Sequence, residues 1–172
     1  MDALVFDTSA ILNFGQRDDL QPLLSRFAAI YRLTTTPDVV NELSDPDRKE
    51  FNAELVRAHF TVQSVQAVPF DLATLTRLAV TIDPGELSVM LAAKELKGIA
   101  VIDERLARQE ADTLGIKLTG TLGLLRDALE NAWLTDDECL QKVRLLRANK
   151  FRIRPPHANE SFAEYFRSFP TP

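Results

Sequence analysis

The chain has 172 residues, 45% hydrophobic and 26% charged, enough for one globular domain, or one domain plus an extension, with a real core. Its formal net charge of -5 and pI near 5.1 oppose holding nucleic acid by bulk electrostatics, so any such contact has to be local or neutralised by metal. A single cysteine, Cys139, excludes an intrachain disulfide, and no Cys/His cluster has zinc-ligand spacing.

In chain order, no basic stretch precedes the first apolar run, and Asp2 and Asp7 interrupt it. No apolar run is long enough to span a membrane, so a cytoplasmic protein without a signal peptide is expected. The run Ala3 to Phe6 predicts a strand, followed at once by Asp7, Thr8 and Ser9. Tyr31 to Thr36 and Phe60 to Val65 are further strand candidates, short and mixed. "TTPDVVNEL" predicts a helix with a Thr cap before Pro37, and "DPGELSVMLAAKEL" one with Asp83 before Pro84 at the first helical position. Ile99 to Ile102 predicts a strand. "DERLARQEADTLG" predicts a helix with Ala107, Ala111 and Leu114 along one face and Gly115 as its C′ residue, and Ile116 to Leu118 predicts another strand. This alternation points to parallel strands with crossover helices, an α/β fold. From about Trp133 the character changes: "TDDE" opens a helix, a basic run follows to Arg154, and "RPPHANES" is a loop. Residues 132–172 are therefore expected to form a C-terminal helical extension on a domain of residues 1–131.

Asp7 and Asp103 each follow an apolar strand at its carboxyl end, where an open parallel sheet forms its binding crevice, so each is either a site acid or an Asp that initiates the turn after its strand. Thr8 and Ser9 could cap the next helix, hold a carboxylate or hold a metal-bound water. Glu86, three residues after Asp83, fits a capping box but also turns toward the same edge. Glu42, one turn after Asp38, lies at the rim of a buried helix face or is simply solvated. Acids gathered at one edge repel strongly unless a cation sits among them, and hard oxygen ligands suit Mg2+ or Mn2+. Such ions promote phosphodiester cleavage, a way for an acidic protein to cut an acidic polymer.

The ordered segments "DTSAIL", "PDVVNEL", "DPGELSVMLAAKEL" and "VIDERLARQEADTLGIKLTGTLGLL" resemble the PIN-domain family of metal-dependent ribonucleases, over roughly residues 3–131. They are closest to a prokaryotic branch similar to the toxin nucleases of toxin-antitoxin modules. The resemblance implies a three-layer sandwich around a central, mainly parallel sheet. It also implies an acidic metal site of Asp7, Glu42, Glu86 and Asp103, with Thr8, Ser9 and Thr121 as supporting hydroxyls. The expected activity is Mg2+- or Mn2+-dependent endoribonuclease cleavage. The expected partners are RNA, an antitoxin-like protein and a second copy of the chain, with no membrane. Many members carry a further acid or hydroxyl after the fourth motif. Here Glu104 is either a ligand or a helix-start acid, and Arg108 either a surface pairing or a phosphate contact.

The tail carries Lys142, Arg144, Arg147, Lys150, Arg152 and Arg154 with no acid between. It is a solvated helix face, a docking surface, or a phosphate-tracking patch in which Arg144, Arg147 and Arg152 contact RNA. Phe151 and Tyr165 either stack on bases or pack in a core. Two rivals remain: a PIN-fold binding module with little or no cleavage, and a phosphoryl-transfer domain with an aspartyl nucleophile. The latter chemistry wants an acid two residues after Asp7, where Ser9 stands.

Overall fold

The computed structural model describes residues 1–15, 20–44, 53–66, 69–149 and 151–169. By compactness the chain divides into two units, Met1–Gly120 and Thr121–Pro172.

In the first unit the strands are β1 (Ala3–Phe6), β2 (Arg32–Thr35), β3 (Thr61–Val62), β4 (Ile99–Val101) and β5 (Leu118–Thr119). They form a five-stranded sheet in the order β3-β2-β1-β4-β5, with every pair parallel. Its helices are α1 (Thr8–Gly15), α2 (Gln21–Ala28), α3 (Pro37–Leu43), α4 (Ala53–His59), α5 (Leu72–Thr81), α6 (Pro84–Glu95) and α7 (Arg105–Thr113). Successive strand residues face opposite ways, yet Ala3, Leu4, Val5 and Phe6 are all buried, so both faces of the central strand are covered by helices. Phe6 meets Phe14 and Phe60 edge-on, with ring centroids 6.3 and 5.1 Å apart, and Phe14 meets Phe27 at 6.3 Å. This aromatic chain joins β1 to α1 and α2, each ring pair adding about 0.5–1.5 kcal/mol beyond the area it buries.

Between β1 and β4 the strand order reverses direction, since β2 and β3 extend one way and β4 and β5 the other. The carboxyl ends of β1 and β4 therefore flank the switch point, where a crevice opens in such sheets. The Asp7 amide donates to the Val101 carbonyl at 3.1 Å, which brings the residues following the two strands side by side.

The helix starts follow the sequence signals. Thr36 accepts from the Val39 amide at the start of α3, with Pro37 at the first position, as expected; Asp71 accepts from the Thr74 amide at 2.7 Å to open α5, a helix that had no expected counterpart. The strand expected at Ile116 to Leu118 begins two residues later, at Leu118. Gly115 ends α7 in the left-handed region (φ 61), and the Ile116 amide is used to cap that helix, donating to the Ala111 carbonyl at 2.9 Å. A residue closing a helix in this way has no amide left for the ladder.

The second unit holds α8 (Thr121–Glu130), α9 (Asp136–Ala148) and α10 (Phe162–Arg167), around Leu124, Leu125, Ala128, Leu140, Val143, Leu146, Phe162 and Tyr165. The boundary read near residue 131 follows α8, whereas the compact units divide before it. Thr135 with Glu138 and Ser161 with Glu164 form capping boxes at α9 and α10, and the Asp136 carboxylate ties the two helices by accepting from the Phe162 amide at 2.8 Å. The segment from Arg154 to Ser161 is a loop, as expected, while α10 beyond it had no expected counterpart. Cys139 is buried and its thiol is pushed up to about 12 by that burial, which leaves it inert. No helix among the described residues is long and apolar enough to cross a membrane.

Candidate active site

Asp7 stands directly after the central strand and is 2% exposed. It caps α1: its Oδ1 accepts from the Ala10 amide at 2.7 Å and its Oδ2 from the Ser9 hydroxyl at 2.8 Å. These bonds favour the ionised form. They are outweighed by burial, and then by the nearby charge of Asp103, which together push the Asp7 carboxyl from 3.8 up to about 8, with Glu86 adding in the same direction.

The hydroxyl of Thr8 turns the other way and donates to Oε2 of Glu42 on α3. The second Glu42 oxygen, Oε1, accepts from the Gly85 amide at 2.9 Å. That amide lies in the first turn of α6, where backbone N–H groups lack helical partners and favour negative charge. Glu42 thus joins α1, α3 and α6. A Cβ at residue 85 would lie 2.8 Å from the Glu42 Cδ, so a larger residue there would displace the Glu42 carboxylate.

Glu86 is half-buried, and its carboxyl is pushed from 4.5 up to about 7, first by burial and then by the charges of Glu104, Asp83 and Glu42. A long bond of 3.4 Å from the Asp83 amide opposes this and supplies the back-reaching half of a capping box. Asp103, half-buried, accepts through Oδ2 from the Asn13 side-chain amide at 3.1 Å. Asn13 carried no expectation of a role, although it is a polar side chain within the otherwise apolar stretch Ala10 to Phe14, one turn beyond Ser9.

Glu104 caps α7, its Oε2 accepting from the Leu106 and Ala107 amides at 2.6 and 2.9 Å. Arg108 is half-buried and directs its Nη1 at backbone, donating to the Ile102 and Thr119 carbonyls at 2.8 and 2.9 Å. Burial lowers its pKa, and the Asp103 charge partly restores it. Thr121 opens α8 in the second unit and is buried there.

In that unit Arg144, Arg147 and Arg152 are exposed, and the Arg147 Nε donates to the Ile153 carbonyl at 3.0 Å. Arg154 is taken up by a bidentate pair with Glu160 (Nη1 to Oε2 2.9 Å) and lies 4.5 Å over the Tyr165 ring. Tyr165 is fully buried, which removes it from base stacking. Lys150 lies outside the described residues.

The acids are thus brought within electrostatic range in pairs: Asp7 with Asp103 and with Glu86, and Glu86 with Glu42 and with Glu104. Among the described residues no three acidic, histidine or cysteine side chains stand close enough to hold one metal ion. The donors themselves fit a hard divalent cation, since they are carboxylate oxygens, two of which are driven toward protonation by burial and then by neighbouring negative charge.

A family model described as DUF3368, a PIN domain, matches residues 3–165. In fold the chain is similar to a PilT N-terminus domain protein from the hyperthermophilic archaeon Sulfolobus solfataricus, with a TM-score of 0.51 at 15% identity, over 74% of this chain and 94% of that one. No curated protein matches it.

Proposed function

The chain belongs to the PIN-domain family, whose members are typically nucleases and generally use divalent metal ions, and from that premise we propose that it is a Mg2+- or Mn2+-dependent endoribonuclease. The observation that carries the proposal is Asp7: a buried carboxyl at the end of the central strand, facing the charges of Asp103 and Glu86, where a proton or an added cation has to offset the negative charge. Asp7, Glu42, Glu86 and Asp103 would hold the ion. When bound, it supplies Lewis-acid activation of water and charge neutralisation for phosphodiester hydrolysis.

The chain's own groups keep the carboxylates aimed. Ser9 and the Ala10 amide fix Asp7, Thr8 and the Gly85 amide fix Glu42, and Asn13 restrains Asp103. Glu104 acts by starting α7. The exposed Arg144, Arg147 and Arg152 contact RNA phosphates. In this proposal the protein works in the cytoplasm as the toxin of a toxin-antitoxin pair, with an antitoxin-like protein and a second copy of itself as protein partners.

One observation favours a second reading, a PIN-fold module that binds RNA or protein without cutting: no three described acids are close enough to share an ion. Incubation of purified protein with mixed RNA in Mn2+, Mg2+ or chelator, beside Asp7→Asn, separates the two. Cleavage that needs the metal and disappears in the variant is expected. Metal-independent RNA binding without cleavage in either protein would establish the binding module instead.

A further inference from the structure

We propose that Arg108 is a positioning residue of the acidic site: its guanidinium fastens the carboxyl ends of β4 and β5 together and, across Gly120, sets where the Asp103 carboxylate stands. The inference rests on the metal-dependent reading above and goes beyond its ligand set.

A single nitrogen, Nη1, donates to the carbonyl of Ile102, the residue after β4, and to that of Thr119, the last residue of β5. Asp103 follows Ile102 directly, so fixing that carbonyl fixes the peptide from which Asp103 projects. A Cβ at Gly120 would lie 2.7 Å from the Asp103 Oδ1, 2.9 Å from the Arg108 Nη1 and 3.1 Å from the Ile102 oxygen. Carboxylate, guanidinium and carbonyl therefore converge on one point that a side chain would fill. The position of Arg108 is itself determined by the cap of α7, since its amide donates to the Glu104 carbonyl at 3.1 Å. On the opposite side, Asn13 holds the other Asp103 oxygen. With Nη1 spent on two backbone carbonyls, the guanidinium is placed for support of the strand ends more than for a phosphate.

The test compares the full chain with Arg108→Met, Arg108→Lys and Gly120→Ala. Three quantities are read: Mn2+ affinity by calorimetry, melting temperature without metal, and KM and kcat on RNA. Arg108→Met and Gly120→Ala should weaken Mn2+ binding by about 10–100-fold, the usual loss when a group orienting a metal ligand is removed. They should lower kcat while KM for RNA stays near that of the parent. Arg108→Lys keeps the charge and a donor and should recover most of the affinity.

A raised KM with a flattened salt dependence and unchanged Mn2+ affinity would make Arg108 an RNA contact and overturn the proposal. So would a lower melting temperature with unchanged affinity, which would make it merely structural. Should Arg108→Met fail to fold, Gly120→Ala and Arg108→Lys decide by the same affinity criterion. A parent that binds Mn2+ indistinguishably from the variants sinks the role of Arg108 alone, whereas a parent that binds none sinks the metal-dependent reading with it.

Discussion

At Asp7, burial and neighbouring charge turn a side chain into a gauge of the whole site. An acid whose pKa is raised from 3.8 to about 8 gives the folded state its full contribution below the lower value and loses it as pH climbs through the upper one. The melting temperature of metal-free protein should therefore fall between about pH 5 and pH 8.5, and Asp7→Asn should flatten the fall. A flat profile across that window would mean that Asp7 is already ionised in the native state at pH 5, since a carboxyl that is not raised finishes titrating below it. Asp103→Asn should likewise raise the metal-free melting temperature by a few degrees, corresponding to about 1 kcal/mol, while abolishing Mn2+-dependent cleavage. A lower melting temperature would reveal a structural duty for Asp103. Gly85→Ala sets a methyl group against the end of the Glu42 side chain and should move that carboxylate, weakening Mn2+ binding while leaving the denaturation midpoint nearly unchanged. The strand-end aspartates were legible from sequence because each follows its apolar run directly. The duties of Asn13 and Gly85 were not, because their partners lie 90 and 43 residues away and nothing local announces them.

Among the elements, capping chemistry was the most legible signal, since a cap and its helix are neighbours in the chain. Thr36, Asp83 and Thr135 all stand where a hydroxyl or carboxylate before a helical run should. Thr135→Ala should accordingly lower stability by about 1 kcal/mol, measured by chemical denaturation. Strand limits were less legible: the α7 terminator takes the Ile116 amide, and β3 keeps just Thr61 and Val62 of a longer candidate run. The basic run shows the same limit. On α9, Val143 and Leu146 face inward and leave Arg144 and Arg147 outside, while Arg154 is consumed by Glu160, a pairing across a loop. Charge-neutral substitution of Arg144, Arg147 and Arg152 together should raise the half-saturating RNA concentration and flatten its salt dependence, with single-turnover cleavage at saturating RNA intact. An unchanged salt slope would remove these arginines from RNA binding.

Over the whole molecule, alternation of strands and helices was enough to indicate a parallel α/β sheet, but strand order was not, since adjacency depends on which edges find each other. That order has a temporal consequence. Phe6 pairs with Val101, so β1 leaves the ribosome on the order of ten seconds before β4, at a synthesis rate of about 5–20 residues per second. During that interval one edge of the most buried strand has no native partner, and pairing between such distant segments is intrinsically slow. Asp7 and Asp103 cannot meet before Asp103 has emerged. A nascent chain stalled short of Ile99 therefore lacks the proposed metal site, and its open strand edge stays available for non-native pairing.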